Sequence, residues 1–176
     1  MRMPWRRIAA WLIDWLCILG WVAVTAAVGV PLYLAGVIAP SGLLLLNVIG
    51  AVVIVVPVVI AASLLESSRR AATPGKRALH LRVGSHGVRP SLPRALARNA
   101  LKLGVPWLIG HAAAFAISTQ SASGSGVAPA TWVLTGFAYV LPIAYVVSLF
   151  LPSGRTPYDR AVHAEVTTTT RVKSTS

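Results

Sequence analysis

The chain has 176 residues, of which 56% are hydrophobic and only 11% are charged, whereas soluble domains carry about a quarter of charged residues. This composition argues against a soluble enzyme and indicates a chain that is solvated mainly by lipid. The net charge of +12 is typical of nucleic-acid-binding proteins, but the hydrophobicity argues against a nucleic-acid partner.

The first predicted membrane span covers about residues 8–38 and contains one charged residue, Asp14. About 20 apolar residues suffice to cross a bilayer, so this span must tilt, bend or emerge, and Pro31 is a natural position for a bend.

A carboxylate inside a span must turn inward and find a partner. Two roles for Asp14 remain open: the anchor of a structural ion pair, or a proton- or cation-binding site of a transporter. The candidate partners for an ion pair are Arg7, Arg98 and Arg160.

The second span, about residues 43–65, carries no charge and leads into a basic segment from Glu66 to Lys102. Within that segment Ala78–Val83 alternates in hydrophobicity, which favours a short extended piece. A phosphate-binding loop is excluded around Lys76, because the earlier glycine and the Ser or Thr after the lysine are both missing.

The end of the basic segment, Ser91–Leu103, has the pattern of an amphipathic helix. Arg94, Arg98 and Lys102 repeat every four residues and so share one face. We expect this helix to lie on the cytoplasmic membrane surface, where the three cations bind anionic lipid.

The third span, about residues 100–118, contains His111, and the fourth, about residues 131–151, is uncharged. His111 either passes protons through the membrane or hydrogen-bonds a carbonyl group of a neighbouring helix. The final segment, residues 167–176, has nothing to bury, so we expect a disordered cytoplasmic tail after a single transmembrane domain over residues 1–166.

Orientation follows from the basic residues, which cells retain on the cytoplasmic side. All 16 Lys and Arg residues lie before the first span, in the segment from Glu66 to Lys102, or after the fourth span. The two remaining connectors carry none. The sequence therefore predicts an all-α, four-span protein of the cell membrane with both termini in the cytoplasm.

Four segments in order resemble motifs of the RDD family of bacterial and archaeal membrane proteins. The opening Arg7–Asp14 is similar to that family's first motif, Thr73–Val83 to its "TPGK…L…RV" segment, Arg94–Asn99 to its Arg-containing stretch and Gly154–Arg160 to its "LHDRLAGT" motif. In the last motif Tyr158 stands where the family usually has His.

The resemblance implies a four-helix membrane fold and marks Arg7, Asp14 and Asp159 as the residues for which the family is named. It also implies, weakly, ion transport such as sodium–proton exchange. Arg7 and Asp159 lie at the same predicted depth, so we expect them to form an ion pair that fastens the C-terminal segment to the first helix.

Two functional hypotheses follow. The first is a small ion, proton or solute transporter, with Arg7, Asp14, Asp159 and His111 as candidate residues and a homo-oligomer as one arrangement. The second is a non-transporting adaptor, assembly factor or anionic-lipid-binding protein. No nucleophile–base pair or metal-ligand spacing is present, so we expect neither enzymatic activity nor a metal or other cofactor.

Overall fold

The computed structural model describes residues 3–39, 42–85, 88–124 and 126–169, and helices dominate this part of the chain. Four helical stretches are long and apolar enough to cross a membrane, so the predicted all-α, four-span architecture is confirmed. In chain order the elements are α1 (Pro4–Leu34), α2 (Leu43–Gly50), a π-helical turn (Ala51–Val55), α3 (Val56–Ser67), α4 (Pro74–Ala78), β1 (Leu81–Gly84), α5 (Leu92–Asn99), a second π-helical turn (Ala100–Gly104), α6 (Val105–Ala122), α7 (Pro129–Ser148), α8 (Pro157–Ala161) and β2 (Glu165–Thr168).

The second and third spans are helices that widen in the middle. In each, a π-helical turn is followed within two residues by a proline, Pro57 in one and Pro106 in the other. A proline has no N–H for the carbonyl four residues earlier, and its ring crowds that carbonyl. The wider π-helical turn relieves both problems without breaking the span.

The third span begins earlier than the sequence suggested. Helix α5 starts at Leu92 and continues through the π-helical turn into α6, so residues 92–122 form one helical stretch. The prediction that Arg98 faces lipid headgroups is wrong, because its side chain is only 1% exposed. Arg94 is exposed, so its contact with lipid stays a prediction.

A small layer of short elements covers the end of the bundle where α1 and α5 begin and α3 ends. In it, β1 pairs with β2 in antiparallel register, with Leu81 opposite Thr168 and Gly84 opposite Glu165. Leu81 and Val83 point into this layer and are buried. The extended piece predicted for the basic segment is therefore present, displaced to residues 81–84.

The predicted disordered tail is wrong at its start. Thr167 and Thr168 belong to β2, and the N–H of Thr169 donates to the carbonyl of His80 at 2.9 Å. Threonine is β-branched and therefore suits a strand. The backbone N–H and C=O groups of this segment are satisfied by pairing with β1, and the polar composition of the segment does not reveal that pairing. Residues 170–176 lie outside the described residues.

Candidate functional site: a buried ion-pair cluster and its cavity

Arg98 lies at the centre of a buried group of charged side chains. Its Nη1 donates to both carboxylate oxygens of Glu66 at 2.8 and 2.9 Å, and its Nε and Nη2 donate to Oδ1 of Asp159 at 2.9 and 2.7 Å. Both carboxylates are fully buried. One guanidinium group thus bridges two acids that come from the end of α3 and from α8.

Arg7, in the first turns of α1, completes the coordination of Asp159. Its Nη2 lies 2.5 Å from Oδ2 of Asp159, and its Nη1 donates to the carbonyl of Gly154. The ion pair predicted from shared depth is therefore present. Burial alone would raise the pKa of Asp159, but the guanidinium groups of Arg98 and Arg7 lower it to about 2.

The local sequence positions Asp159 as well. Thr156 precedes α8, and its hydroxyl accepts the N–H of Asp159 while the Thr156 N–H donates back to the carboxylate. This reciprocal capping box, followed by Pro157 at the first helical position, fixes where the acid points. A five-residue helix thereby holds Asp159 over Arg98.

Lys76 brings a third cation to the group from α4. Its Nζ lies 2.5 Å from Oε1 of Glu66, and the side chain is 7% exposed. Burial lowers the pKa of Lys76 to about 8, although the Glu66 carboxylate partly offsets that effect. We refer to Arg7, Glu66, Lys76, Arg98 and Asp159 as the ion-pair cluster, and to this end of the bundle as the charged end.

Asp14 pairs with none of the arginines considered from the sequence. Its Oδ2 accepts the hydroxyl of Thr73 at 2.6 Å, and its Oδ1 accepts the backbone N–H of Gly75 at 2.8 Å. These groups belong to the first turn of α4, whose N–H groups lack helical partners. The structure therefore makes Asp14 the acceptor that fastens α4 to α1.

The fit between α1 and α4 requires a glycine. A Cβ atom built on Gly75 would lie 2.0 Å from the carbonyl oxygen of Ala10 and 3.0 Å from Oδ1 of Asp14. Ala10 itself is 2% exposed. The backbones meet directly at this point, which explains why the segment reads Thr73-Pro74-Gly75.

A cavity of about 350 Å³ lies beside the ion-pair cluster. Arg7, Lys76 and Arg98 from the cluster line it, and so does the side chain of Lys102 in the second π-helical turn. Its other walls are mostly apolar and include three tryptophans together with residues of α3 and α7. The wall residues include Trp11, Trp15, Trp107, Val58, Pro142 and Tyr158.

His111 lies away from the ion-pair cluster and is not among the residues that line this cavity. Its Nδ1 is 3.0 Å from Oδ1 of Asn47 on α2, and its ring fills the space beside Gly50, where a Cβ atom would come within 2.7 Å of Cε1. This geometry favours a hydrogen bond between helices over a proton path through the charged end.

Sequence reasoning missed Glu66 and Lys76 as members of the site. The sequence pattern places Glu66 at the start of the basic segment, yet Glu66 is one of just four acidic residues in the chain and directly follows an uncharged span. That scarcity was the available signal. Tyr158, the departure from the family motif, packs under Arg98, whose guanidinium carbon lies 5.2 Å from the ring centroid.

The ion-pair cluster and the cavity beside it are suited to stabilising buried charges and to binding a small ligand. Within the described ranges, no three His, Cys, Asp or Glu side chains converge as metal ligands would. Four basic side chains lie at this site, Arg7, Lys76, Arg98 and Lys102, and they outnumber its three acidic ones, Asp14, Glu66 and Asp159.

Comparison with known families shows that the model of the RDD family matches residues 2–163. No curated protein and no solved structure matched the chain significantly. The four segments that resemble family motifs supply Arg7, Asp14, Lys76, Arg98 and Asp159, which the structure brings together at the charged end.

Proposed function

This chain belongs to the RDD family, and on that premise we propose that it is a membrane transporter of a small solute or ion that enters the cavity at the charged end. The cavity itself carries the proposal. Its volume of about 350 Å³ lies within the range of small-molecule sites, and it combines apolar walls with a few charged groups.

The helices around the cavity support movement. Lys102 belongs to a π-helical turn, and both Pro106 and Pro142 line the walls. Irregular helical turns of this kind are frequent at functional sites, and interrupted helices line the paths of many transporters. These positions could bend without breaking regular hydrogen bonds.

In this proposal, ion pairs of the ion-pair cluster break during transport. Arg7 and Lys76 reach the cavity while each is bound to a carboxylate on a different element. In the proposed cycle a solute competes for these cations and loosens α8 or α4 from the bundle. No chemical step is part of the proposal.

We place the charged end in the cytoplasm, with both termini there, because the basic residues gather at that end. The membrane is proposed to be the cell membrane with an anionic inner leaflet. Much of α1 beyond its first turns is exposed, so a second copy of the chain could pack against it in the bilayer.

A variant that fills the cavity tests the proposal. Val58 is half-buried and lines the cavity, whereas Val56, on the same helix, is 45% exposed. In proteoliposomes, we expect Val58→Phe to abolish proton flux driven by a sodium or potassium gradient, or uptake of octanesulfonate, while Val56→Phe retains it. Absence of every flux from the wild type, or equal flux in Val58→Phe, would contradict a transport function.

Asp14→Asn separates the two roles of that residue. The amide keeps an oxygen for one of the two donors but removes the charge. Loss of flux with normal insertion and thermal stability would support a part for the carboxylate in transport. Unchanged flux would leave Asp14 as a structural anchor.

The second candidate is a non-transporting, anionic-lipid-binding or adaptor protein. It is favoured by a hollow of about 280 Å³ in the layer of short elements, lined by Arg69, Arg82 and Arg89, all of which are exposed. Charge reversal at Arg82 and Arg89 should then abolish binding of liposomes or a partner, with Asp14 and the cavity dispensable.

A further inference from the structure

Lys102 is the one cation around the cavity that has no carboxylate at ion-pair distance among the described residues. Arg7, Lys76 and Arg98 each contact Asp159 or Glu66. Lys102 lines the cavity beside the ion-pair cluster and also a neighbouring one of about 340 Å³. Because a cation within a span is costly unless it is paired, this position favours an anion in front of it.

Two tryptophans, Trp15 and Trp107, line the cavity together with Lys102. The indole N–H groups of Trp15 and Trp107 are buried and have no hydrogen-bond partner among the residues that the structure describes, although buried polar groups are nearly always paired. The two rings lie stacked, with centroids 6.2 Å apart and planes 18° apart, and both line the cavity. The aromatic faces of both tryptophans and the side chain of Lys102 thus border one largely apolar space.

We propose that the cavity binds an amphipathic anion whose acidic head is held by Lys102 and whose short apolar chain lies along the rings of Trp11, Trp15 and Trp107. This inference rests on the proposed function, since it names the class of the transported solute. An anion is favoured over a metal cation, because every acid at the site already accepts hydrogen bonds from the protein whereas Lys102 has no carboxylate at ion-pair distance in the described part of the chain.

Tryptophan fluorescence provides the test. The full-length protein in nanodiscs of neutral phosphatidylcholine is titrated with ω-bromo-octanesulfonate, a permanent anion whose bromine quenches nearby indoles. The matched cationic probe is ω-bromo-octyltrimethylammonium, which has the same chain. Unlabelled octanesulfonate is then added to displace the bound probe and separate site binding from partitioning into the bilayer.

We expect saturable, displaceable quenching by the sulfonate and none by the ammonium probe. Lys102→Gln should weaken sulfonate binding by about tenfold to a hundredfold, as expected for loss of one charge-assisted hydrogen bond, and Lys102→Arg should restore much of it. Arg94→Gln, which removes an exposed cation from the same helical stretch, should bind as the wild type does.

Equal displaceable binding of both probes, or an unchanged affinity in folded Lys102→Gln, would overturn the inference. If Lys102→Gln does not fold, Val58→Phe, which fills the cavity, must abolish displaceable quenching while Val56→Phe retains it. A second set of nanodiscs with brominated phosphatidylglycerol identifies the source of the anion: quenching there that octanesulfonate reverses assigns the site to a lipid headgroup instead of a soluble anion.

The outcomes also separate this inference from the proposed function. If Val58→Phe abolishes a flux but the wild type does not bind the sulfonate, the protein transports another solute and only this inference fails. If the sulfonate binds in a Lys102-dependent way but no flux is measured, the binding site is real and the proposed transport function fails.

Discussion

Substituting Gly75 by alanine tests the contact between α1 and α4. The new Cβ atom would lie 2.0 Å from the carbonyl oxygen of Ala10, so α4 must move away from α1. That movement stretches the hydrogen bonds from Thr73 and Gly75 to Asp14, now 2.6 and 2.8 Å long. Bonds to a charged acceptor contribute about 1.5–3 kcal/mol each, so we expect a loss of about 3–5 kcal/mol.

The measurement is the free energy of unfolding in mixed micelles, followed by tryptophan fluorescence as the denaturing detergent fraction rises. Gly110→Ala is the matched control, since a Cβ atom there meets nothing within 4 Å and alanine favours a helix by up to about 1 kcal/mol. A Gly75→Ala protein as stable as the Gly110→Ala protein would refute the account of Asp14 as an anchor.

Three further predictions concern the ion-pair cluster and the middle of the bundle. Arg98→Gln should lower the free energy of unfolding by about 3–5 kcal/mol, because two buried carboxylates lose their partner, whereas Arg94→Gln should change it by less than about 0.5 kcal/mol; equal effects would contradict the central role of Arg98. The folded-state pKa of Asp159, about 2, lies below its ordinary value of 3.8, so its stabilisation, about 2 kcal/mol, is present above pH 4 and is lost as the pH falls from about 4 to 2. Asp159→Asn should show a smaller loss across that interval in an acid titration followed by fluorescence, and an identical titration would refute the assignment. Gly50→Ala should destabilise by about 1–3 kcal/mol through its clash with His111, and His111→Ala in the same chain should recover part of that loss; no recovery would locate the strain elsewhere.

Hydropathy and charge were sufficient to predict the spans, because a lipid-exposed chain must satisfy its backbone internally and only a few segments are apolar enough. The Arg7–Asp159 pair was predictable for a related reason: depth in the bilayer follows from position along a span. Both inferences use one coordinate, the distance along the membrane normal.

What could not be predicted depends on which faces meet. The four-residue spacing placed Arg94, Arg98 and Lys102 on one face, but only the folded chain shows that Arg98 turns toward Glu66 and Asp159, which are distant in sequence. The sequence predicts an arginine as the partner of Asp14. Its partners are a hydroxyl and a backbone N–H of a turn, and no periodicity in the sequence marks the conformation of that turn.

The location of the acidic side chains has an electrostatic consequence for the exterior. Three of the four acids, Asp14, Glu66 and Asp159, contact groups inside the protein, and Glu165 is bound to Arg155. Exposed arginines such as Arg69 and Arg82 therefore have few negative neighbours to screen their field. We expect adhesion to negatively charged bilayers to weaken steeply as salt rises, while the interior pairing, shielded from counterions, is unaffected.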